Sequence, residues 1–124
     1  MSFPLTKIMA AATAGYAVFA AARPRHLASA LDEHGPAARA TDRLARTYAV
    51  RDLSTSALAF VPGGAPVAAL LRITGDLGDA AILGSTVPPS VRAKVVGVPL
   101  AWGVLNTAAL ALDLRGSAGR VRRA

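Results

Sequence analysis

Two arginines and three aspartates lie within apolar segments of this chain. Arg51 and Asp52 are adjacent in one such segment, and Arg72, Asp76 and Asp79 fall in the next, residues 70–84. Steps of four and three residues return to nearly the same angle on a helix, so positions 72, 76 and 79 form one stripe. Groups of this kind in an apolar setting have three uses. They can neutralise one another and fix the register of two helices, bind a proton or small polar ligand, or supply an aspartate as acid or base.

The elements that must position the stripe follow from breakers and hydropathy. Two prolines and two glycines at residues 62–66 split one long uncharged run into a hairpin. With Gly63 as the turn centre, residues equidistant from it share a level at ~1.5 Å per residue. Arg51 then faces Gly75 and Asp52 faces Thr74, about 15 Å from the turn and near the middle of a bilayer. The simplest pairing is Arg51 with Asp76 and Asp52 with Arg72. Asp79 is left over, and Tyr48 is its best-placed neighbour. A hydrogen bond from the Tyr48 hydroxyl to Asp79 is therefore expected, with Asp79 the member of the stripe that would hold a proton.

Blocks of spanning length surround the hairpin. Residues 3–22 hold one charge, Lys7, over the length of a bilayer-crossing helix. Its rival reading is a cleavable signal peptide ending in the alanines at 20–22, which Arg23 and Arg25 directly afterwards disfavour. Pro24, Leu27, Leu31 and Gly35 predict a short interfacial helix. Further spans are expected over about residues 44–61, 65–84 and 91–112, with a solvated or lipid-facing basic tail over 115–124. The whole is one all-α domain, a four-helix transmembrane bundle. Basic residues number seven on one side and five on the other, so charge does not set its orientation.

Composition narrows the function classes. Of the 124 residues, 53% are hydrophobic and 17% charged, with apolar blocks separated by arginines, as in a membrane protein. Alanine supplies much of the apolar count, which leaves an Ala-rich soluble helical bundle as the alternative. The absence of cysteine removes disulfides, thiolate metal sites and a cysteine nucleophile. The net charge of +7 is distributed beside apolar blocks rather than along one basic face with aromatics, so lipid phosphate is the expected partner and nucleic acid is not. His26 and His34 have no second ligand at metal spacing, so no metal is expected, and no cofactor motif is present. Ser54, Thr55 and Ser56 lack a histidine base or nucleophile elbow and are expected to bond their own helix. Trp102 reads as packing or an interfacial anchor.

Tyr48, Ala49, Val50, Arg51, Asp52 and Leu53, followed by an apolar run, a short turn and Gly75, Asp76, Leu77, Gly78 and Asp79, carry a family resemblance. The chain resembles small four-helix bacterial membrane proteins catalogued as domain of unknown function 4267, related to the DoxX-like group. The resemblance covers most of the chain, with Gly15 and Pro24 matching a glycine and a proline near the end of the first span. The fourth span departs from it, lacking a histidine–glycine pair. The family has no assigned function; the chain is expected to be a multi-pass protein of the cytoplasmic membrane without catalytic chemistry, acting as an accessory or assembly component of a larger complex. A small transport or sensing module, working as a homo-oligomer, is the competing function.

Overall fold

The computed structural model describes residues 2–124 and is built from five helices, with no strand among the described residues. Helix α1, Pro4–Ala22, starts with proline in its first turn, where the missing N–H costs nothing, and stops just before Pro24. Helix α2, Arg25–Ala30, is the expected short connector, and it leads through Asp32 and Gly35, both at positive φ, into α3. Helix α3, Gly35–Leu58, begins nine residues before the expected span, so its first turns extend it by about 14 Å and carry Arg39, Asp42 and Arg43. The hairpin turn follows, with Gly63 at φ 75, and Pro66 opens α4, Ala65–Thr86.

Helix α5, Pro89–Arg123, is longer than the expected fourth span. It continues to Arg123 despite Pro99 inside it, so the basic segment 115–123 is helical. Thirty-five residues span about 52 Å, well beyond a hydrocarbon core of ~30 Å. Helices α1 and α5 are long and apolar enough to cross a membrane. Helices α3 and α4 are more highly charged, α4 carrying Arg72, Asp76 and Asp79 within its 22 residues.

The four long helices form an antiparallel ring in the order α1, α3, α4, α5. The closest packing is of α4 on α5 and of α1 on α3, and α2 lies against α3. Direction follows from the contacts. Thr6 and Thr13 of α1 bond Asp113 and Trp102 of α5, and Ala17 and Ala20 of α1 pack with Ala49 of α3 while Ala10 packs with Ala59. The interior is made of small and polar side chains. Alanines dominate it, joined by Thr6, Thr13, Ser56, Arg72, Asp76, Asn106 and Asp113, and no large side chain is fully buried among the described residues. Most of the large apolar side chains point outward, with Ile8, Val18, Leu70, Val98 and Val104 all more than half exposed; Phe3 and Val95 are buried.

Candidate functional site

Helix α3 presents Tyr48, Arg51 and Asp52, and α4 presents Arg72, Asp76 and Asp79 from successive turns. Together they form a chain of alternating charge. The Arg51 guanidinium donates from Nη1 and Nη2 to the two oxygens of Asp79 at 3.1 and 2.9 Å, and from Nε to Asp52 Oδ1 at 3.1 Å. Arg72 Nη1 donates to the same Asp52 oxygen at 2.5 Å, and Arg72 Nη2 lies 3.3 Å from Asp76 Oδ1. The order is thus Asp79, Arg51, Asp52, Arg72, Asp76. Asp79 is 17% exposed, and from Arg51 (34%) exposure falls through Asp52 and Arg72 to 7% at Asp76, so the chain runs from the α3–α4 flank into the bundle.

Two expected partnerships change. Arg51 takes Asp79 rather than Asp76, because its long side chain reaches one turn beyond the residue level with it. Tyr48 makes no hydrogen bond to Asp79 among the described residues; its ring lies against the guanidinium, with Arg51 Cζ 4.5 Å from the ring centroid, a cation–π contact. Asp79 therefore has its cation, and the carboxylate left incompletely partnered is Asp76, whose Oδ2 is buried without a hydrogen bond. The pairing of Asp52 with Arg72 is present.

Glycines give the site its clearance. A Cβ on Gly75 would stand 3.1 Å from Arg72 Nη2, so the absence of a side chain there lets the guanidinium fold along its own helix. On α5, Gly103 brings the backbone close enough that a Cβ would contact that of Asp76 at 3.5 Å. Nothing approaches Gly78. Beside Arg72 is a cavity of about 10 Å³ lined by Thr6, Thr13, Thr55, Ser56 and Asn106 together with alanines, roughly the space of one water.

A second polar seam joins α1 to α5. Trp102 Nε1 donates to Thr13 Oγ1 at 2.8 Å, so this tryptophan is a hydrogen-bonded packing residue between two helices. Ser54 and Thr55 bond the carbonyls of Val50 and Arg51, as hydroxyls in a helix do. Asp113, expected as an interfacial charge, is buried and does something more specific. Its two oxygens accept from the backbone N–H of Leu5 at 3.3 Å and Thr6 at 2.7 Å, satisfying donors that every helix N-terminus leaves open. A sign of this was present in the sequence: Pro4 opens a helix preceded by Phe3, which has no side-chain acceptor, so the cap must come from elsewhere.

At the other end, α2 is tied to α3. The Arg25 guanidinium holds Asp42 through Nε and Nη2, the latter at 2.8 Å, and this hydrogen bond keeps the Asp42 carboxyl below its ordinary value of 3.8. Glu33 accepts a hydrogen bond from Thr41. His26 binds the Tyr16 hydroxyl and the Arg23 carbonyl, both at 2.7 Å. No group of three His, Cys, Asp or Glu side chains is placed to hold a metal ion among the described residues. Comparison with protein-family models, with curated proteins and with solved structures finds no match.

Proposed function

We propose that this chain is a multi-pass protein of the cell membrane, in which α1, α3, α4 and α5 cross the bilayer and α2 lies at its surface. In this reading it is a non-catalytic accessory or assembly component of a larger membrane complex. The observation that carries the reading is the distribution of side-chain size. A soluble bundle buries its large apolar residues, whereas here most of them face outward around an interior of alanine, hydroxyls and paired charges. Only 22% of the apolar window in α1 and 17% of that in α5 are buried, which fits lipid-facing spans better than soluble core helices.

Charge placement agrees. The end of the bundle holding Lys7 and the arginines of the α5 terminus has five cations against Asp113, leaving four positive charges. The opposite end has seven cations against Asp32, Glu33 and Asp42, again leaving four. Two positive ends and a nearly neutral middle suit a bilayer with phosphates at both surfaces. The ion-pair chain is saturated mainly by its own members, and the cavity beside it is water-sized, which supports a register-fixing role over a substrate site.

The experiment is carbonate washing of membranes followed by purification in mild detergent. The chain should stay with the membranes and bring a membrane partner in fixed ratio. Release as a soluble monomer would overturn the membrane placement. A homo-oligomer without a partner would favour the second reading, a transport or sensing module. That reading draws on one observation: three aspartates against two arginines leave the cluster one negative charge over, beside the unpartnered Asp76 oxygen.

A further inference from the structure

At the end of the bundle holding the α3–α4 turn, the helices leave a groove of about 560 Å³, within the size range of small-molecule sites. Its floor includes Ala59 and Ala65, both buried, and its sides include Phe3, Phe60, Val61 and Leu114. Phe60, Val61 and Leu114 are each about half exposed, so the groove is open along an apolar rim. Phe3 reaches it from a left-handed backbone (φ 46, ψ 55), a conformation that a bulky residue keeps only where its surroundings hold it. A groove lined by buried alanines and large, half-exposed apolar side chains accepts a hydrocarbon chain.

One charged residue lines this groove. Lys7 stands on its wall and forms no ion pair among the described residues. The nearby helix N-terminus offers no competing anion site, because its Leu5 and Thr6 amides are already engaged by Asp113. The same end carries Arg115, Arg120, Arg122 and Arg123, so the field over the groove is positive. We infer that the groove binds one anionic phospholipid from the bilayer, with an acyl chain over Ala59 and Ala65 beside Phe60 and the headgroup phosphate on Lys7. The inference rests on the membrane reading proposed above.

Native mass spectrometry of the full-length, delipidated protein in detergent tests it, with phosphatidylglycerol and phosphatidylcholine supplied in equal amounts. The wild type should retain phosphatidylglycerol about fivefold better, the worth of one basic residue near an anionic lipid. Lys7→Gln should bring the two lipids to parity, while Arg120→Gln, a charge loss at the same end outside the groove, should leave the preference in place. Leu114→Trp, at an exposed position, should narrow the groove and lower retention of both lipids, with helicity checked by circular dichroism. Equal retention of the two lipids by the wild type would overturn the proposal, as would an Arg120→Gln effect equal to that of Lys7→Gln. Carbonate washing reports separately on membrane placement, so a retained chain without lipid preference defeats the lipid site alone.

Discussion

The Arg51 guanidinium meets the Asp79 carboxylate through two nearly parallel hydrogen bonds, 3.1 and 2.9 Å long, and ties the middle of α3 to the second half of α4. These two helices pack less closely than α1 with α3 or α4 with α5, so much of what joins them is this contact and its continuation through Asp52 to Arg72. A bidentate pair of this kind fixes register as well as distance, because a one-residue slip would break both bonds.

Charge exchange tests that relationship. Arg51→Asp or Asp79→Arg alone should each cost about 2 kcal/mol, the scale of a hydrogen bond to a charged group, since each leaves a like-charged pair. The double exchange should recover more than half of the loss. Exchange of Arg51 with Asp76 should recover none. Thermal unfolding in detergent reads all four variants, and rescue by the Arg51–Asp76 exchange alone would place the pairing wrongly.

The levels of these residues were legible in the sequence and their angular positions were not. Counting from Gly63 puts Asp52 and Arg72 near one level, and they pair. The same count puts Arg51 beside Gly75, yet its partner is four residues further, because depth does not report how α3 is rotated about its axis. The start of α4 at Ala65 agrees with the expected one, whereas α5 starts at Pro89 inside the segment read as a turn, and its residues 115–123 read as a tail because arginines there mimic a solvated terminus. The Asp113 cap depends on which helix end meets which, information that local spacing does not contain.

The cap itself makes a prediction. Asp113→Ala should destabilise the bundle by about 1–2 kcal/mol and speed hydrogen exchange at the Leu5 and Thr6 amides. Asp113→Asn keeps an acceptor oxygen and should lose less than half as much. Equal losses, or unchanged exchange at those amides, would show that the carboxylate is not holding α1.

The hairpin turn depends on Gly64. A Cβ there would stand 1.9 Å from the Leu58 carbonyl oxygen, a backbone atom that cannot swing aside. Gly64→Ala should therefore cost about 2 kcal/mol or more through strain in the turn. Gly78→Ala, with open space around it, should be neutral or slightly stabilising by helix propensity. Comparable melting temperatures for the two variants would contradict the geometry of the turn.

Acid should loosen α2 before the bundle. The folded Asp42 carboxyl titrates below its ordinary value because Arg25 binds its ionised form. Its contribution is therefore present above the unfolded value of 3.8 and is lost as pH falls through the lower, folded one. Hydrogen exchange in α2 should rise over that range in the wild type. In Asp42→Asn it should be faster at neutral pH and lack this acid-dependent rise; a wild-type profile in that variant would assign the change to other carboxyls.

The central claim, four crossings of a bilayer, is tested most directly by single-cysteine labelling in intact cells and inverted vesicles. The natural chain has no cysteine, so every signal comes from the introduced one. Ser2→Cys and Ala118→Cys lie at one end of the bundle, and Ser29→Cys and Ser90→Cys at the other. A membrane-impermeant maleimide should label the first two from one side of the membrane and the second two only from the opposite side. Labelling of all four from the same side, in a protein that carbonate releases, would contradict the account.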